Sequence, residues 1–197
     1  LQQCKQTWER HGGACTYAHL NRLAEQAPRG GALLDVSYPD FLNPGGMPGR
    51  IEAFCRKTGQ AVPVGAGAMV RCILESLALQ YRSLLNDFEN VLGRRLESIH
   101  IIGGGSRNGL LNQMTADCTG RPVIAGPVEA TAAGNLLVQA LGLGYLGSVE
   151  EIRHAVRLSF SPETFYPAST SEWEERYALY RKICARQEPP AHTETLR

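Results

Sequence analysis

Apolar residues return every three to four positions between residues 70 and 92. Val70, Ile73, Leu74, Leu77, Tyr81, Leu84, Leu85, Phe88, Val91 and Leu92 form one stripe of a helix that Gly93 ends. At the usual rise this helix is roughly 35 to 40 Å long. Its stripe is expected to be core, because an exposed stripe of that size would aggregate. Upstream, residues 1–10 are helical in composition but lack an N-cap, and read as the remainder of a helix already in progress. Thr16 can cap a helix over residues 17–27, with Tyr17, Leu20, Ala24 and Ala27 on one face. Residues 32–36 are a strand candidate. Residues 38–49 hold three Pro and three Gly and must be a loop. Pro48 suits the first turn of a short helix over residues 49–58, and Gly59 suits its end.

From Ser98 the pattern becomes strand, glycine turn, helix, strand, helix. Residues 99–102 are apolar apart from His100, and Gly103-Gly104-Gly105 ends them. Ser106 can cap a helix carrying Leu110, Leu111, Met114 and Cys118, stopped by Gly120. A second strand over 121–125 and a helix of small residues over 130–141 follow. This β-α-β-α order implies parallel strands joined by a right-handed crossover, with ligands at the strands' C-terminal ends. Two S-x-x-E capping boxes, Ser148 with Glu151 and Ser171 with Glu174, start later helices. Residues 188–197, with Pro189-Pro190 and few apolar groups, read as a disordered tail.

Composition narrows the classes. The chain has 197 residues, 43% of them hydrophobic, enough for one globular domain or one domain with an appendage. With 20 Lys and Arg against 19 Asp and Glu, there is no broad field for nucleic acid or an anionic membrane. Any phosphate recognition must be local. No run approaches the roughly 18 apolar residues of a membrane span, and no leader opens the chain, which points to the cytoplasm. Six cysteines without a C-x-x-C pair read as reduced, mostly buried thiols. The five histidines show no metal-ligand spacing. Asp117, inside the helix after the glycines, and Glu129, beside Gly126-Pro127, read as structural acids.

The chemistry-bearing stretch is residues 100–108, His-Ile-Ile-Gly-Gly-Gly-Ser-Arg-Asn. Three glycines between a buried strand and a helix let bare backbone approach a ligand, and N–H groups at a helix start suit a phosphate or nucleoside. A P-loop is excluded, since no Gly-Lys-Ser/Thr follows. The dinucleotide fingerprint fits Gly103 and Gly105 but meets Asn108 where its last glycine belongs, and lacks its ribose carboxylate. A Rossmann-type oxidoreductase fragment stays open as an alternative.

Residues 101–113, IIGGGSRNGLLNQ, followed by MTADCTG, resemble the adenosine motif of the FGGY sugar kinases, relatives of actin, Hsp70 and hexokinase. Residues 121–135, RPVIAGPVEATAAGN, are similar to the family's next segment, and FLNPGGMP, FCRKTGQ and RCILESLAL add to the likeness, which covers residues 1–167. The implied fold is α/β, a helix-rich, N-terminally incomplete part of an actin-like, ribonuclease H-like ATPase domain. Residues 1–167 would form the C-terminal nucleotide-binding domain and 168–187 a C-terminal helix. By resemblance, Gly104 and Gln2 contact ATP or ADP, and Gly103, Gly105 and Asn108 neighbour the adenosine. Residues 130–134 resemble the helix near the interdomain hinge.

The family's first phosphate loop, its Mg ligands and its catalytic Asp belong to an N-terminal domain preceding this chain. The resemblance therefore implies an ATP- and Mg-dependent kinase of a ketose, L-rhamnulose, phosphorylated at its 1-position by the intact enzyme. This chain alone would hold no catalytic residue and be inactive. A non-catalytic nucleotide-binding or regulatory module derived from such a kinase is the second reading. Because each domain's sheet in this fold begins with strands that precede the first helix, the chain's own sheet is expected to lack strands and to self-associate.

Overall fold

The computed structural model describes residues 1–12, 16–168 and 171–185. They divide into two compact units, one of Leu1–Ser83 with the segment from Ser171, the other of Leu84–Thr170. Helices dominate both, and the one sheet among the described residues has three short strands.

The first unit is helical. It contains α1 (Gln2–Arg10), α2 (Tyr17–Gln26), α3 (Met47–Lys57), the portion of α4 (Gly65–Leu92) up to Ser83, and α8 (Ser171–Ala185). Thr16 caps α2 as expected, its Oγ1 accepting from the His19 amide at 3.1 Å. Gly46, in the left-handed region at φ 63°, turns the chain into α3, and Pro48 stands in its first turn. Its fully buried large residues include Leu20, Leu33, Ile51, Phe54, Leu74, Leu79 and Tyr180. Gly67 lets α4 meet α2 closely: a Cβ there would lie 2.6 Å from the Leu23 carbonyl oxygen.

Residues 32–36 are not a strand. The segment is buried from Ala32 to Asp35, but its polar backbone is served by side chains. Gln60 exchanges both amide bonds with Leu33, at 2.8 Å each, and Ser76 Oγ accepts from the Leu34 amide at 2.8 Å. These groups replace a ladder, so burial does not require a neighbouring strand.

Charge in this unit is organised on α4 and α8. Glu75 accepts from Arg71 Nε at 2.7 Å and from Arg176 Nη2 at 2.6 Å, with its side chain almost wholly buried. The expected reciprocal cap of Glu174 on Ser171 is not made. Glu174 instead takes Arg82 Nη2 on both carboxylate oxygens at 2.8 Å, while Arg82 lies 4.3 Å above the Tyr177 ring. The helix begins at Ser171 itself, which puts its cap position outside the described residues, as is the expected tail.

The second unit carries β1 (Ile99–Ile101), α5 (Gly109–Thr119), β2 (Val123–Ala125), α6 (Ala130–Gly142), α7 (Val149–Ser159) and β3 (Glu163–Phe165). β1 and β2 are parallel, with Ile99 opposite Val123, as the β-α-β order requires. β3 adds antiparallel to β2, with Phe165 opposite Val123. The C-terminal end of α4 is tied to β2 by Arg121, which donates to Glu89 at 3.0 Å and to the Leu96 carbonyl at 2.7 Å. The Leu96 amide, and then Arg121, hold the Glu89 carboxyl below the usual range. Their contribution is present at neutral pH and is lost on acidification, as pH falls through the lowered folded-state value.

Here the stripe of α4 departs from expectation. Its residues up to Leu79 are largely buried, but Phe88 is 60% and Val91 85% exposed. Helix α6, mostly apolar, buries no residue, and Leu136 and Val138 face solvent. β1 is also an edge of the sheet. Ile99 and Ile101 bond toward β2, so alternation turns the N–H and C=O of His100 to the open side. An apolar helix face and an open strand edge both favour association. The chain in isolation is therefore expected to sediment as a dimer or larger species at micromolar concentration, and a monomer with one cooperative melt would contradict this.

Candidate functional site at the glycine turn

The parallel pair ends in the sequence Ile102-Gly103-Gly104-Gly105, and the chain turns there as a 3-10 segment, Gly103–Arg107, before α5 begins. Two backbone bonds fix the turn to the end of β2: Gly103 N–H donates to the Pro127 carbonyl at 3.0 Å, and Gly126 N–H donates to that of Ile101 at 2.8 Å. Ser106 does not cap α5. Its hydroxyl folds back onto the Gly103 carbonyl at 2.6 Å, stabilising the tight turn, and the cap is Asn108, whose Oδ1 accepts from the Leu111 amide at 3.1 Å. The 3-10 segment displaces the helix start by two residues, which sequence spacing does not show. Asn108→Ala should cost about 1 kcal/mol of stability through the lost cap. Urea unfolding would measure it, with Ser106→Ala as the comparison.

The three glycines have different reasons to be glycine. Gly103 has φ 73°, which a side chain would strain. A Cβ on Gly105 would lie 3.7 Å from Ile101 Cγ2, an ordinary contact. Gly104 has neither a left-handed backbone nor any atom within 4 Å of the position a Cβ would take. Nothing within the chain requires glycine there. What a side chain at Gly104 would occupy is open space above the strand end, where a ligand can lie against the backbone.

A groove of about 410 Å3 opens beside this turn. Ser106 and Arg107 line one side, the β2 to α6 connection from Ala125 to Glu129 another, and Phe160 to Glu163 a third. Arg107 supplies a cation to its lining, and Glu129 and Glu163 supply anions. Behind the turn, fully buried Asn112 donates from Nδ2 to the Ser106 carbonyl at 2.9 Å, while its Oδ1 has no partner among the described residues. Asn112 was not singled out from the sequence, where it reads as one more polar residue on α5. The Phe160 to Glu163 wall, brought in by β3, has no sequence signal at all.

The remaining candidates fall as follows. Gly103, Gly104, Gly105 and Asn108 are brought together in the second unit, whereas Gln2 is the exposed first residue of α1 in the first. Asp117 has a structural place: its Oδ1 accepts from Gln113 Nε2 and from the Ala168 amide, both at 2.8 Å, tying the chain after β3 to α5. Glu129 precedes α6 without capping it by its side chain. Among the described residues the cysteines are free thiols, and no group of three or more His, Cys, Asp or Glu side chains could hold a metal. No described helix is long and apolar enough to cross a membrane.

Residues 1–143 match the model of the FGGY family of carbohydrate kinases, C-terminal domain, and the chain belongs to that family. It is 40% identical over 186 residues to a rhamnulokinase of Bacteroides thetaiotaomicron, and 42% identical over 171 residues to a rhamnulokinase of Enterococcus faecalis. These alignments cover 94% and 85% of the chain but only 37% and 34% of the relatives, so the chain spans about a third of their length. Among solved structures, a ligand-bound xylulose kinase from Lactobacillus acidophilus superposes with a TM-score of 0.58 at 14% identity, covering 87% of this chain and 34% of that one. A xylulose kinase from Rhodospirillum rubrum gives 0.51 at 23% identity, over 86% and 33%. At such identities the likeness is one of fold, the actin-like fold of sugar kinases. The oxidoreductase reading finds no support in any of these relatives.

Proposed function

We propose that this chain is the ATP-binding part of a cytoplasmic sugar kinase whose complete form transfers the γ-phosphoryl group of ATP to the 1-hydroxyl of L-rhamnulose. The observation that carries the nucleotide assignment is the glycine turn at the end of the parallel pair, where a Cβ on Gly104 would meet no atom within 4 Å and bare backbone faces open space. The rhamnulokinase relatives support the sugar. Adenosine would lie over the Gly103 to Gly105 backbone, with Asn108 holding the turn's exit. Magnesium, which such transfer uses to neutralise phosphate charge, finds no ligand cluster among the described residues. Its ligands, the catalytic base and most sugar contacts would come from the other two thirds of the enzyme.

The test is a coupled assay of ADP release by the complete enzyme, with L-rhamnulose compared against other ketoses. ATP binding without transfer to any sugar would favour a regulatory module instead. The chain by itself should transfer no phosphate from ATP to L-rhamnulose, because closure of two domains aligns the phosphate with its acceptor and excludes water. Transfer above that of a Gly104→Asp control would contradict this.

A further inference from the structure

A second cavity, of about 290 Å3, lies in the first unit, away from the glycine turn in sequence and lined from three places: Pro28 to Ala32, the loop Ala61 to Val64, and α4. Its walls are apolar, formed by residues such as Ala32, Val62, Pro63 and Ala68. Charge enters only from α4, where Arg71 and Glu75 line it. Arg71 is only 8% exposed. Its Nε donates to Glu75, and its Nη1 to the carbonyls of Ala24 at 2.9 Å and Ala27 at 3.3 Å. Nη2 has no hydrogen-bond partner among the described residues.

The charge balance of this cluster is uneven. Glu75 uses one oxygen for Arg71 and the other for Arg176, so a single carboxylate faces two guanidinium groups. Glu174 is engaged by Arg82, and Asp35 by the hydroxyl and amide of Ser37. Arginine stays charged at any physiological pH. A buried positive charge without a full counterion is unfavourable, and an anion that enters the cavity relieves it.

We propose that this cavity binds a short-chain aliphatic carboxylate, its carboxylate on Arg71 Nη2 and its hydrocarbon body against Ala32, Val62, Pro63 and Ala68. One free nitrogen serves one carboxylate oxygen. A phosphate, which gains from several donors at once, would find too few here. The volume sits at the small end of small-molecule sites, which limits the body to a short chain.

Ligand-observed saturation-transfer NMR tests this on the whole chain and does not depend on its oligomeric state. Hexanoate should bind with a dissociation constant of about 1 mM, and the isosteric neutral hexanamide about tenfold more weakly. Inorganic phosphate should not displace hexanoate. Val64 is 89% exposed at the cavity's rim, so Val64→Asp should leave the melt unchanged while weakening hexanoate several-fold by repulsion. Ala68→Leu should fill the cavity and abolish the signal. Equal binding of acid and amide, displacement by phosphate, insensitivity to both variants, or no signal at about 10 mM would each overturn the proposal.

Discussion

Gly104→Asp, introduced into the complete enzyme, is expected to raise the apparent KM for ATP at least about tenfold, equivalent to about 1.4 kcal/mol of binding, and to leave the melting temperature within a degree or so. The open position above Gly104 accepts the side chain without touching the protein, so the fold has no reason to respond. On the proposed assignment the same carboxylate would lie in the path of the nucleotide, combining steric exclusion with repulsion of the phosphates. Gly103→Ala provides the opposite control. At φ 73° it should destabilise the turn by about 1 kcal/mol, and its effect on ATP would follow from that. Unchanged ATP kinetics in Gly104→Asp would remove the nucleotide from this turn.

The largest stability loss is expected at Glu75. Glu75→Ala leaves Arg71 and Arg176 without their common counterion in a site where side-chain exposures are only 9% and 16%. Breaking a buried pair by removing one partner typically costs about 3 to 5 kcal/mol, because the remaining charge stays buried and unpaired. Equilibrium urea unfolding should show that loss as a lowered midpoint. A change below about 1 kcal/mol would mean that the two arginines reach solvent or other acceptors in the variant, and that the cluster contributes little.

Local signals in the sequence carried to the structure wherever they closed on themselves. Thr16 bonds within its own first turn, Ser148 accepts from the Glu151 amide at 3.2 Å, and the period of α4 produces one helix of 28 residues. The β-α-β order also sufficed for the parallel pairing of β1 with β2, since the short crossover leaves little choice of direction. The turn after β1 was legible as a turn, because three consecutive glycines interrupt an apolar strand, whereas its reading as a nucleotide site came from the family resemblance and not from the glycines themselves.

Tertiary structure decided everything that depended on a distant partner. Residues 32–36 have strand composition, yet Gln60 and Ser76 satisfy their backbone, and nothing local announces those bonds. Ser106 and Asn108 are both competent caps, and only the 3-10 turn tied to Pro127 assigns the role to Asn108. Glu174 sits at capping-box spacing but is claimed by Arg82, 92 residues away in sequence. The stripe of α4 has one period throughout, although burial stops before Phe88, because period records which side of a helix is apolar and not what covers it. The distinction between Gly103, required by its backbone, and Gly104, required by nothing in the chain, follows the same rule. A run of identical residues has no internal order, and only the φ angles and the space around each Cα show which glycine the chain's own conformation requires.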